Sequence, residues 1–207
     1  MANLLSNFRN TVVVSTVLAI ILLWAFVGQS NVAGNGHEIS HVVFRWLHVF
    51  FGILWIGLLY YFNFVQIRVM PKIPVEQKPG VTGHIAPEAL FWFRWAALLT
   101  VITGLLVAAI RGYLVSALTL GADSGFADPG TTFIGIGMWL GLIMAFNVWF
   151  VIWPNQQKAL NIANAYPDLS AEAKAAAGRT AMLFSRTNML LSIPMLVAMV
   201  GRQTMWG

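Results

Sequence analysis

The sequence predicts an all-α integral membrane protein: a polytopic bundle of about five transmembrane helices with its N-terminus in the cytoplasm. Three observations predict it. Of 207 residues, 58% are hydrophobic and only 9% are charged, whereas a soluble domain carries roughly a quarter of its residues charged. The mean hydropathy is +0.74. Apolar runs recur at residues 11–28, 41–64, 91–110, 132–153 and 187–206, and a run of about 20 residues crosses ~30 Å of hydrocarbon at 1.5 Å per residue. The chain therefore reads as a single transmembrane helical domain, 1–207, solvated by a lipid bilayer, with no soluble domain and no internal repeat.

The first span, TVVVSTVLAIILLWAFVG, follows Arg9. Its apolar run is longer than a signal-peptide core, so it is expected to remain as a helix. Arg9, Arg68, Lys72, Lys78, Lys158, Lys174, Arg179 and Arg186 fall on one side of the five spans, against Arg111 and Arg202 on the other. That asymmetry puts the N-terminus inside and the C-terminus outside. The net charge of +5 resides in loops, so it reports topology and not a nucleic-acid partner. The absence of cysteine excludes disulfides, thiolate metal sites, iron–sulfur clusters and covalent c-type haem attachment.

The second span, HVVFRWLHVFFGILWIGLLYYFNF, carries His41, Arg45 and His48. At i, i+4 and i+7 they share one helix face, which Gly52 and Trp55 continue. His48 lies about 10 Å deeper than His41. Charged and imidazole groups inside a bilayer are costly and face a bundle interior, a cavity or a partner. Three uses compete: His48 as a ligand of haem b iron with Arg45 beside a propionate, polar packing against another helix or subunit, and a proton or anion path to the outer surface. His41 and Arg45 also suit interfacial anchoring. The histidines are His37, His41, His48 and His84. Spans one, three, four and five contain none, so bis-histidine ligation between two helices of one chain is not expected. A five-coordinate His48, a His/Met pair or a ligand from another chain remain.

The first inner loop, PKIPVEQKPGVTGHIAPE, is crowded with proline and glycine and is expected to be irregular. It leads to His84, Glu88 and Arg94 in GHIAPEALFWFRW. Glu88 suits the positive end of the third helix, and Arg94 is expected to snorkel back to the interface. In the fourth span, Gly137-xxx-Gly141 permits close helix approach, and Asn147 sits deep enough to require a hydrogen bond to another helix. Trp153-Pro154-Asn155-Gln156 reads as the end of that span. Beyond it, SAEAKAAAGRTAM forms a helix capped by Ser170, with Glu172 in its first turn, that projects from the membrane and can run on into the fifth span.

MAFNVWFVIWPNQQKAL and, some thirty residues on, SRTNMLLSIPMLVAMV resemble the end of the membrane domain of the bacterial membrane-bound urate oxidase (urate hydroxylase) family. RWLHVFFGILWIGLLYYFNF and ALFWFRWAALLTVITGLL resemble its earlier helices. The resemblance implies a multi-pass protein of the bacterial inner membrane in a redox setting, where family members oxidise urate and pass electrons to a cytochrome c domain. Carried over residue by residue, His48 matches the helix histidine; Asn147, Pro154, Asn155, Gln156 and Asn188 match the later motif. Where the family has a histidine before its last span, this chain has Thr187, and it contains no CxxCH. The expected function is thus an electron-handling or accessory membrane subunit, binding haem b through His48 or assembling with other membrane subunits or copies of itself. The alternative is a urate-oxidising enzyme that hands electrons to a separate cytochrome c. Catalytic residues are not specified by the sequence.

Overall fold

In hydrocarbon every backbone N–H and C=O must be bonded within the chain, so apolar runs of this length fold as helices. The computed structural model describes residues 2–206, and among them it is helical with no strand. Five helices form the framework: α1 (Phe8–Val27), α2 (Gly36–Tyr60), α3 (Ala86–Ile110), α4 (Pro129–Phe146) and α5 (Ala171–Met205). Each belongs to a helical stretch long and apolar enough to cross a membrane. Polar residues mark the starts. The Asn7 side chain accepts from the Asn10 N–H at 3.1 Å, the Asp128 carboxylate from Gly130 N–H at 2.9 Å, and Ser170 Oγ from Ala173 N–H at 3.2 Å. Each satisfies a donor that a helix N-terminus leaves open.

By packing, the chain divides into two units, one ending at Val43 and one beginning at Phe44. The first holds α1 and the opening turns of α2. Of the α1 side chains only Val27 is buried; Val13, Leu18, Leu22 and Trp24 are exposed. A helix apolar on all faces is suited to lipid. The second unit has a continuous core in which Trp55, Leu59 and Phe62 meet Leu90, Phe93 and Ala97, together with Met144, Val148 and Ile152. The α5 helix enters this core along one stripe, Ala177, Ala181, Ser185, Asn188, Ser192, Met195 and Ala198, all buried. Its three- and four-residue spacing is that of a single helix face.

Several helices outrun their apolar windows. The second continues beyond Tyr60 as a π-helical segment, Tyr61–Gln66, and short turns to Lys72; the fourth continues as a π-helical segment, Asn147–Ile152, and an α-helix, Trp153–Leu160. The helix runs on through Pro154, directly after the widened turns, and stops only where Asn161 turns left-handed at φ 48°. The first inner loop is a succession of short helical pieces of changing type, Met70–Lys72, Val75–Gln77, Lys78–Gly80 and Val81–Ile85. Pro71 and Pro79 stand in the opening turns of two of them and Pro87 in the opening turn of α3. The capped Ser170 helix does run unbroken into the fifth span, 35 residues in all.

Small residues set the helix contacts, though not all those the spacing suggested. A Cβ on Gly137 would lie 2.9 Å from Ala198 Cβ on α5, and one on Gly135 would lie 2.3 Å from the Ala117 carbonyl. A Cβ on Gly141 would meet nothing within 4 Å. Gly137→Ala should therefore lower the stability of the detergent-solubilised protein by about 1–3 kcal/mol through overpacking. Gly141→Ala should be neutral or stabilising by up to about 1 kcal/mol through helix propensity. Thermal unfolding followed by circular dichroism distinguishes the pair, and equal losses would exclude close packing at Gly137 alone.

Candidate functional site

The polar side chains of the second unit gather at three levels of an otherwise apolar bundle. At the first, His48 reaches across to α3, where its Nδ1 lies 2.9 Å from the Thr100 carbonyl oxygen. A carbonyl only accepts, so Nδ1 carries the proton and Nε2 keeps the basic lone pair. Among the described residues Nε2 makes no hydrogen bond. The imidazole fits because α3 presents Gly104 beneath it. A Cβ there would stand 2.8 Å from His48 Cε1 and 3.0 Å from Nδ1. Gly52 continues the same face, a Cβ on it falling 3.9 Å from Thr100 Cγ2, and Trp55 is 1% exposed. The deep part of the predicted stripe therefore faces protein.

The second level is the end of the bundle that the charge count assigns to the outside, the outer mouth. Arg45 is exposed, yet its Nη2 donates to Gln203 Oε1 near the end of α5. This is a polar contact with another helix, one of the uses that the sequence leaves open for this face. Arg202 donates from Nη1 to the Trp206 carbonyl at 2.9 Å and lies against Gly130, where a Cβ would be 2.9 Å from its Nε. Burial pushes the Tyr113 phenol above its ordinary value, while Arg202, Arg45 and Arg111 act in the opposite direction. Three arginines thus converge on this tyrosine. The nearby carboxylates are already engaged. Asp128 accepts from Thr131 Oγ1 at 2.6 Å, and Asp123 accepts from Ser116 Oγ at 2.5 Å and Thr119 Oγ1 at 3.0 Å. His41, on the same helix as His48, falls in the first unit and is buried.

The third level lies in the half of the bundle that the charge count assigns to the cytoplasm. Asn147 Nδ2 donates to Asn188 Oδ1 at 2.9 Å, and Asn188 Nδ2 donates to the Met144 carbonyl at 2.9 Å. The expected partner of Asn147 on another helix is thus Asn188, which is 0% exposed. Asn63 Nδ2 donates to Ser185 Oγ at 3.0 Å, and Ser192 Oγ lies 3.2 Å from the Tyr60 hydroxyl. Tyr60, Asn63, Ser185 and Ser192 had not been singled out. The signal that could have found the last two is the spacing of Ser185, Asn188 and Ser192 on one face of α5. Asn155 bonds only within its own helix, to the Val151 carbonyl at 2.8 Å, and Gln156 is half-buried.

Arg94 is set among aromatic rings. Its guanidinium lies 3.7 Å from the centroid of the Trp153 ring, with Phe91 at 5.5 Å and Trp149 at 6.0 Å. Trp149 Nε1 donates to the Arg94 carbonyl at 3.0 Å. His84 and Glu88 make no hydrogen bond or ion pair to Arg94 among the described residues; Glu88 accepts from Trp92 Nε1 at 2.9 Å. The three residues therefore do not form a group. No cluster of three or more metal-binding side chains occurs among the described residues.

Two tests follow from these contacts. Asn188→Leu should destabilise the bundle, because it leaves the buried Asn147 amide without an acceptor. In a double-mutant cycle with Asn147→Leu, the two should couple by about 0.5–2 kcal/mol; strict additivity would exclude the pairing. At the outer mouth, the hydroxyls of Thr131 and Ser116 hold Asp128 and Asp123 below the ordinary carboxylate value of 3.8. A lowered folded value means that this support is complete above the ordinary value and disappears as pH falls through the folded one. Protection of residues 113–130 in hydrogen exchange, corrected for intrinsic rates, should fall only in that acid range, and Asp128→Asn should flatten the dependence.

Residues 105–204 match the family described as urate oxidase N-terminal. The matched stretch contains Asn147, Pro154, Asn155, Gln156 and Asn188, while His48 lies before it. No curated protein and no solved structure matches the chain.

Proposed function

We propose that this chain, whose residues 105–204 are a urate oxidase N-terminal-like membrane domain, is a membrane-embedded subunit of an electron-transfer assembly that carries haem b on His48. The observation that carries this reading is the tautomer fixed by the Thr100 carbonyl. A histidine that donates from Nδ1 to a backbone carbonyl presents Nε2 as an oriented, basic ligand nitrogen, the arrangement that metal-binding histidines adopt. The arginines Arg45 and Arg202 at the same end of the bundle suit a group bearing carboxylates. The group would supply one-electron chemistry; the chain would orient the ring and neutralise charge at the mouth. His48 would hold the group through Nε2, the one imidazole at this level. Apolar faces on α1 and on the outer side of the second unit leave room for further membrane subunits or further copies.

The family match supports a second reading, oxidation of urate with electrons passed to a separate cytochrome c. On that reading the chemistry would lie near the buried amides Asn147 and Asn188, which are within the matched stretch.

The haem reading is tested by reconstituting the purified protein with haemin. A Soret band that persists after removal of free haemin and is lost in His48→Ala is expected. A folded, colourless wild-type protein would overturn it. Urate-dependent reduction of added cytochrome c by membranes carrying the protein, unaffected by His48→Ala, would favour the second reading.

A further inference from the structure

The aromatic surround of Arg94 leaves part of its chemistry unanswered. Ring faces attract the charge, but Nε and Nη1 are both buried with no acceptor. No carboxylate lies within ion-pair distance of Arg94 among the described residues. A cation held this way inside a membrane protein calls for an anion. The surrounding tryptophans give its depth. Trp92, Trp95, Trp149 and Trp153 stand at its level, with Trp95 and Trp149 in edge contact at 5.3 Å, and tryptophan belts mark the headgroup region of a bilayer.

Immediately deeper, α3 and α4 leave an open groove of about 390 Å³ on the outer surface of the bundle. Leu98 and Val101 line one wall; Leu142, Ala145, Phe146 and Trp149 line the other. Leu98 and Val101 follow Arg94 by four and seven residues, so the groove runs from about 6 to about 10 Å further into the membrane. On the antiparallel partner the same descent leads from Trp149 to Leu142. Trp149 belongs both to the groove and to the surround of Arg94. The two features are therefore one continuous surface, with a cation at its interfacial end and an apolar channel below.

We propose that this surface binds one anionic phospholipid of the leaflet on the lysine- and arginine-rich side, with its phosphate at Arg94 and an acyl chain in the groove. The order of the parts matches a lipid in place, headgroup at the tryptophan level and tail towards the midplane. The charge selects an anionic headgroup over a zwitterionic one. An isoprenoid quinone would fill the groove but would leave the guanidinium without a counter-charge. The inference is independent of haem and of His48, which lies at another level.

The experiment uses the full-length protein, delipidated in detergent, with native mass spectrometry and thermal unfolding after addition of phosphatidylglycerol, phosphatidylcholine, glycerol 3-phosphate or a ubiquinone. Phosphatidylglycerol should give one retained adduct per chain and a raised midpoint, and the other three should not. Arg94→Gln should remove the preference for phosphatidylglycerol. Val101→Trp, which fills the groove and keeps the charge, should weaken retention at least tenfold. Equal retention of the two phospholipids, a full effect from glycerol 3-phosphate, a larger effect from the quinone, or unchanged retention in Val101→Trp would each overturn the proposal. Should Arg94→Gln fail to fold, the wild-type comparison and Val101→Trp decide it.

Discussion

Hydrocarbon offers no hydrogen bonds, and that single constraint orders the polar groups of this protein. Backbone groups close on themselves in helices. Polar side chains then have two choices, a bond within their own helix or a bond to a neighbour. Thr100, Thr103 and Asn155 take the first. His48, Asn63, Asn147, Asn188 and Trp149 take the second. The second group ties α2 to α3 and α5, α4 to α5, and the end of α4 to α3. Apolar contact alone discriminates weakly between helices in lipid, because tails are as apolar as leucine. These few directional bonds therefore fix which faces meet, and the glycines at 104, 135 and 137 let the backbones come close enough for that to happen.

The same economy explains how much could be read from the sequence. All five spans were legible, because length and hydropathy are properties of the run itself. So was the Ser170 cap, a local signal, and so was the need of Asn147 for a partner. Its identity was not legible, because a buried amide states that it needs a bond but not where the bond lies. The surround of Arg94 was not legible for a related reason: only the fold brings Trp149 and Trp153 from another helix to meet it. The short helical pieces of the first inner loop were not legible, because whether a proline breaks a helix or opens one depends on register, which composition does not give.

The two halves of the second unit are chemically distinct. The outer half holds imidazole and guanidinium groups against engaged carboxylates, and the imidazole offers a basic nitrogen. The inner half holds neutral amides and hydroxyls, several of them bonded across helices, with one arginine set among aromatic rings. A redox group in the outer half and a lipid at the inner interface would use different parts of the molecule. The amide pair between them would then serve as the rigid element that keeps both in register.

The widened turns at Tyr61–Gln66 and Asn147–Ile152 bear on how such a gene can change. A turn of this type holds an extra residue relative to an ordinary helical turn. Loss of a single codon from either tract would let an ordinary helical turn close over the gap, and that turn covers nearly the same rotation with one residue fewer. The residues beyond would keep their faces, Arg68 after the first tract and Trp153, still against Arg94, after the second. A single deletion should accordingly be tolerated inside these two tracts far better than in the regular helix on either side.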